Sequence, residues 1–329
     1  MTSRETVKRA IEFQKPPRLP FMQHEFDDLP DDIFDCQEMD RARSGWFFGQ
    51  AGADDWGCGW ALTDQKNMGQ VIHHPLEHWG RLLTYSPPHP RDSFYFERIE
   101  EALLEAGDRY VLVTAHFNLI ERLQMLHGFH QTFEDFYLEP EKIEKVLDMI
   151  LEFRLEQFDE LKRRFGNRID GLFLTDDWGT QQGTLISAQT FEHFFLERYR
   201  YIVQAVHANG WHFMLHSCGR INDFVPHFIE IGVDVLNMQQ PQAYGIKEIG
   251  ERFAGKVCFL TTVDIQKTLP TGNVKNIRAE ARELVENWST PDGGLIVHSY
   301  VDPESLGLEP EMNRVMLESF ADLMYYRNE

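Results

Sequence analysis

The sequence is short of basic side chains: 32 lysines and arginines stand against 53 aspartates and glutamates, giving a formal net charge of -21. Such a field repels phosphate backbones and anionic lipid, so nucleic acid and membrane surfaces are not expected as partners. Cysteine is also scarce. The four present, Cys36, Cys58, Cys218 and Cys258, form no CxxC pair and no regular framework, which argues against a disulfide scaffold. There is no run of about 18 apolar residues, so no membrane-spanning helix is expected. No signal peptide is visible, because Met1-Thr2-Ser3-Arg4-Glu5 opens a polar helix. The cytoplasm is the expected address. Linkers, repeats and low-complexity tracts are absent too, so residues 1–329 are read as one domain.

What is present is an alternation of short apolar runs with helical periodicity, the pattern of a parallel sheet covered by helices. Strands are expected at 19–24, 110–115, 171–175, 212–216, 233–237, 257–262 and 294–298, with an eighth placed between 54 and 73. Ile143, Val146, Leu147, Ile150, Leu151, Leu155 and Phe158 recur at helical spacing, and Gly166 fits the stop. Ser187 is placed to cap a helix carrying Phe191, Phe195, Tyr199 and Val203 that ends near Gly210. A shorter helix runs from Asn222 to Ile231, closed by Gly232. The acidic stretch from Asp27 to Asp40 reads as a surface loop or a lid. At 329 residues the chain fits one (β/α)8 barrel, a TIM barrel.

In a barrel the active site forms from strand ends and the loops after them. Polar residues gather there: His24 and Glu25, His116 and Asn118, Asp176, Asp177 and Trp178, His216 and Cys218, Asn237, Gln239 and Gln240, Asp264 and Gln266, and finally His298 and Tyr300. His216 and Cys218 are the sharpest pair. Two residues apart on extended chain, they point to one side, and imidazole and thiolate are both zinc ligands. The competing reading is a buried histidine beside a small apolar cysteine. Asp177 and Asp264 are each a general acid or base, or a helix-capping carboxylate. Trp56, Trp60 and Trp178 line a pocket or pack in the core.

Asp176-Asp177-Trp178-Gly179-Thr180-Gln181 and His216-Ser217-Cys218-Gly219-Arg220-Ile221 resemble motifs of the uroporphyrinogen decarboxylase superfamily. Gly232-Val233-Asp234-Val235-Leu236-Asn237, Gly293-Gly294 and the opening Ser3-Arg4-Glu5-Thr6-Val7 with Pro16-Pro17-Arg18-Leu19-Pro20 agree in order and spacing. The likeness covers essentially the whole chain and implies the barrel fold. True uroporphyrinogen decarboxylases hold their polycarboxylate with arginines after the first strand. Here Met22-Gln23-His24-Glu25-Phe26-Asp27-Asp28 stands in that place and would repel such a substrate.

The chain is more similar to the corrinoid-dependent methyltransferase branch, where the histidine and cysteine of HxC bind zinc with a second cysteine after the last strand. His216 and Cys218 match the first two; Val301 falls near the place of the third. His298 is the nearest replacement, with Glu25, His24 and Asp177 in reserve. The resemblance implies zinc-dependent methyl transfer between a small methylated compound and a corrinoid carried by a partner protein. In that scheme Asp177, Asp264 and Glu25 are catalytic candidates, and His24, His116, Trp178, Asn237, Gln239 and Tyr300 contact substrate. A metal-free decarboxylase or lyase on a small carboxylated or aromatic compound is the alternative. A non-catalytic binding protein is the third, disfavoured by the many polar residues at strand ends.

Overall fold

The computed structural model describes residues 1–36, 49–64, 69–300 and 307–325. Val301 and the end of the Asp27-to-Asp40 stretch lie outside them. The described strands, in chain order, are β1 (Phe21–Met22), β2 (Ile33–Asp35), β3 (Gly52–Ala53), β4 (Gly59–Ala61), β5 (Gln70–His73), β6 (Tyr110–Ala115), β7 (Gly171–Thr175), β8 (His212–His216), β9 (Val235–Met238), β10 (Cys258–Thr261) and β11 (Leu295–His298). Eight of them form one parallel sheet in the order β1-β11-β10-β9-β8-β7-β6-β2. Helices lie between the strands, and the architecture is a TIM barrel.

The sheet closes between β1 and β2 through one buried carboxylate. The Asp32 N–H donates to the Phe21 carbonyl (2.8 Å), and the Phe21 N–H donates to Asp32 Oδ2 (2.9 Å). The Arg18 guanidinium donates to both oxygens of Asp32, at 2.7 and 2.8 Å. Two short strands thus gain through a side chain what a long ladder would supply.

The expected strands are found, three with the expected bounds and the others shifted at their ends, except the eighth. It is Ile33–Asp35, paired with β6, inside the stretch read as a loop or lid. Among the described residues, 54–64 and 69–73 contribute no barrel strand. They belong to a separate antiparallel sheet, β3-β4-β5. The reason is physical. Ile33–Asp35 is three residues long and has one fully buried apolar side chain, so it carries no apolar run. The later segment is aromatic and alternating, which suits an antiparallel sheet with one wet face. Asp54 anchors that insertion. It accepts from the backbone N–H of Trp56 and Cys58, from Trp60 Nε1 and from Arg122 Nη1 (2.8 Å). Trp56 and Trp60 are therefore buried packing residues, Trp60 lying 5.6 Å from the Phe117 ring.

The helix Pro140–Phe165 stops at Gly166 (φ 58°), and Ser187 accepts from the Thr190 N–H as a cap. The opening helix, Ser3–Ile11, plugs the floor of the barrel. Its Val7 and Ile11 pack with Tyr110, Leu112, Phe173 and Met214 in the barrel interior. Lys8 and Arg4 reach Asp170 at 2.7 and 2.9 Å. With the floor sealed by apolar packing, the polar layer is left at the opposite, C-terminal end. No helix is long and apolar enough to cross a membrane among the described residues.

Candidate functional site

The inward positions of the barrel strands change character toward their C-terminal ends. Above Phe173, Met214 and Ile296 come Thr175, His216 and His298, with Asn237 above Val235. A strand exposes alternate residues to the same side, so a polar top layer on an apolar middle follows directly from this order.

The loops after β7 and β8 are zipped together. The Asp176 N–H donates to the His216 carbonyl (3.0 Å), the Gly179 N–H to Cys218 (3.1 Å), and the Arg220 N–H to Thr180 (2.7 Å). The approach leaves no room for side chains at two positions. A Cβ on Gly219, whose φ is +74°, would lie 2.2 Å from the Gly179 carbonyl carbon. One on Gly179 would lie 2.6 Å from the Gly219 carbonyl carbon. The glycines of the two motifs thus exist for each other. Their contact brings Asp177 beside Cys218, whose backbone N–H donates to Asp177 Oδ1 at 2.7 Å.

Three donor atoms converge here. Cys218 Sγ is 3.3 Å from His216 Nε2, and His216 Nε2 is 3.6 Å from Asp177 Oδ1. The ligand atoms of all three residues lie within 4.8 Å of one another. In a tetrahedral zinc site, ligand atoms at ordinary bond lengths stand about 3.3–3.6 Å apart. The side chain of His216 is 14% exposed and that of Asp177 is 42% exposed, so the group faces the mouth.

The imidazole is oriented by the next strand. Asn237 Nδ2 donates to the Leu260 carbonyl (2.9 Å), an oxygen that can only accept, so the amide has a fixed sense. Its Oδ1 then faces His216 Nδ1 at 2.6 Å. Nδ1 must carry the proton, which leaves the Nε2 lone pair aimed at Cys218 and Asp177. An outer partner that sets the tautomer is what a metal-ligating histidine requires.

Acidic neighbours set the electrostatics. Burial raises the Cys218 thiol well above its usual range, and Asp177 and Glu121 add to it. Burial likewise lifts Glu121, which accepts from the Thr175 hydroxyl at 3.1 Å, with Asp177 and Asp176 contributing. Asp176 is pushed up to about 7 by burial, opposed by the Tyr199 hydroxyl and three backbone N–H groups. Those N–H groups, of Leu119, Ile120 and Glu121, open the helix Leu119–His127, which Asp176 caps from another strand. A divalent cation would relieve this accumulation of negative charge.

The expected site residues divide. Asp177, His216, Cys218 and Asn237 come together. His298 was placed as the third ligand, but it is not in the donor group. Its Nδ1 faces Gln239 Nε2 (3.1 Å) and Asn237 Nδ2 (3.4 Å), so it lies on the far side of Asn237. Asp177 stands in the third position instead, its carboxylate grouped with His216 and Cys218.

Three other expected site residues stand outside the donor group. Asp264 lies at the same barrel end, but its carboxylate accepts from the N–H of Gln242, Gln266 and Lys267 and holds a turn. Trp178 is fully buried among Phe191, Phe195 and Phe224, with Nε1 donating to the Tyr199 hydroxyl, and so packs in the core. Glu25 is tied to Ser299 (2.9 Å) and to Asn313 (2.7 and 2.8 Å), outside the donor group.

His24 is exposed and close enough to His298 to act on its charge. His116 and Tyr300 are half-buried at the same end. Sequence reasoning missed Glu121 and Asp35. Glu121 sits on a helix rather than at a strand end. Asp35, which accepts from Thr114 at 2.7 Å, sits on the strand that was not recognised.

Residues 56–300 match the family model described as uroporphyrinogen decarboxylase (URO-D). Among solved structures, a methyltransferase from Methanosarcina mazei superposes with a TM-score of 0.69 at 16% identity, covering 98% of this chain and 99% of that one. A D-psicose 3-epimerase in the presence of D-fructose aligns with a TM-score of 0.35 at 8% identity, over 74% of this chain and 85% of its own. No curated protein matches by sequence. The family match spans most of the barrel and includes both zipped motifs, and the chain belongs to the uroporphyrinogen decarboxylase family.

Proposed function

We propose that this protein is a zinc-dependent methyltransferase that moves a methyl group between a small methylated compound and a corrinoid on a partner protein. The observation that carries the reading is the convergence of Asp177, His216 and Cys218, three donors of zinc-binding type, with His216 held in the ligating tautomer. The methyltransferase named among the structural neighbours supports it. The donor set fits: one carboxylate, one imidazole and one thiolate leave a fourth tetrahedral position for substrate.

Bound zinc would supply Lewis acidity toward the oxygen, nitrogen or sulfur that loses or gains the methyl group. The chain's own residues do the rest. Asn237 orients His216. The Cys218 N–H and the zipped glycine turn orient Asp177. The apolar barrel middle beneath them excludes water from below.

The test is metal content followed by turnover. Protein purified without chelator and supplied with zinc is expected to hold about one ion per chain. It is then expected to methylate or demethylate cobalamin in a spectroscopic assay with a panel of methoxylated aromatics and methylamines. A wild-type protein that holds no metal overturns this reading in favour of a metal-free lyase.

A further inference from the structure

His298 lies one amide away from His216, yet its protons are arranged the opposite way. Asn237 has a fixed sense, because Nδ2 donates to the Leu260 carbonyl. That same Nδ2 faces His298 Nδ1 at 3.4 Å, and Gln239 Nε2 faces it at 3.1 Å. An amide N–H directed at Nδ1 requires a lone pair there, so the ring proton belongs on Nε2. Burial, with His216 and His24 nearby, pushes this imidazole down to about 3, which keeps it uncharged.

Its direction follows from strand parity. Ile296 points into the barrel interior, and His298, two residues on, points the same way one layer higher, beside Met22 of β1. No described residue partners Nε2. An N–H with no protein acceptor is open to a ligand acceptor.

We infer that His298 presents its Nε2–H to the barrel mouth as a hydrogen-bond donor that reads an oxygen on the substrate. The role as substrate reader rests on the methyl-transfer reading; the tautomer does not. It narrows the substrate class. A methylated compound with a second oxygen beside the departing group engages His298. A compound whose only heteroatom is the methylated one does not. A site that donates to a substrate oxygen discriminates strongly against the analogue lacking it, because the donor is then left unpaired.

Two experiments test it on the full chain. In protein labelled with 15N-histidine, long-range proton–nitrogen correlation reports which ring nitrogen is protonated, and His298→Gln identifies the signal. The expected pattern is a protonated Nε2; a protonated Nδ1 overturns the inference. Calorimetry on zinc-loaded protein then compares 2-methoxyphenol with anisole. Wild type is expected to prefer the former at least about tenfold, and His298→Ala to remove most of that preference with zinc content unchanged. Absence of preference in wild type, a preference retained in the variant, or zinc lost from the variant overturns it. Failure of wild type to load zinc at all marks failure of the methyl-transfer reading instead.

Discussion

At the residue scale the site depends on a few atoms with no redundancy. Cys218→Ala and Asp177→Asn each remove one of three donors, so each is expected to release most of the bound zinc while circular dichroism stays native. Plasma emission spectrometry on dialysed protein checks this, and full metal retention in both would remove the donor set from consideration. Gly219→Ala is expected to be worse for the fold than either. Its Cβ would meet the Gly179 backbone at 2.2 Å, and its φ of +74° disfavours any side chain. A loss of about 2–4 kcal/mol in urea denaturation is expected from that overlap and strain together.

His298 makes stability depend on pH with a definite sign. Its folded-state value, about 3, lies below its ordinary 6.5. Between those limits the unfolded chain binds a proton that the folded chain refuses. Stability from this group is therefore fully present above pH 6.5 and is lost as pH falls toward 3, by up to about 4 kcal/mol. Denaturant midpoints from pH 7 to 4 should fall more steeply for wild type than for His298→Gln.

At the element scale the barrel relies on two devices that replace ladder length. The Ser3–Ile11 helix closes the floor, and Asp32 stitches β1 to β2. Asp32 is fully buried and serves Phe21, Arg18 and Ser3 at once. Asp32→Ala leaves a buried N–H and a partly buried guanidinium without their acceptor, so a loss of about 3 kcal/mol is expected. Hydrogen exchange should localise the loss to the β1–β2 seam, faster there than at β8. Uniform exchange would mean that the seam is not a separate weak point. The β3-β4-β5 sheet is a different kind of element. It adds nothing to the barrel's parallel ladder and docks through Asp54 on Arg122 of the helix Leu119–His127.

At the scale of the whole molecule, the proposed metal binding would be linked to folding. The donors come from the ends of two neighbouring strands, and the unfolded chain cannot assemble them, so zinc bound as proposed would stabilise only the folded state. At a thousandfold excess over the dissociation constant this amounts to about 4 kcal/mol, a rise of several degrees in melting temperature. The rise should appear in wild type by calorimetry and vanish in Cys218→Ala. An equal rise in both would place the zinc elsewhere.

Much of this was determined by the sequence alone. Seven barrel strands and the covering helices were legible because apolar runs and helical spacing are local signals. The pair His216 and Cys218 was legible because two residues apart on a strand fixes a common side. The remainder was decided by tertiary structure, for reasons of distance. β2 is too short to carry a pattern, and it is a strand only because Asp32 and β6 hold it there. Asp177 is a third donor only because two glycines 40 residues apart touch. His298, Asp264 and Trp178 stand at strand ends as expected, but their partners come from other strands and helices. Those partners, and not the positions in the chain, decided which side chains meet the mouth and which are consumed in holding it.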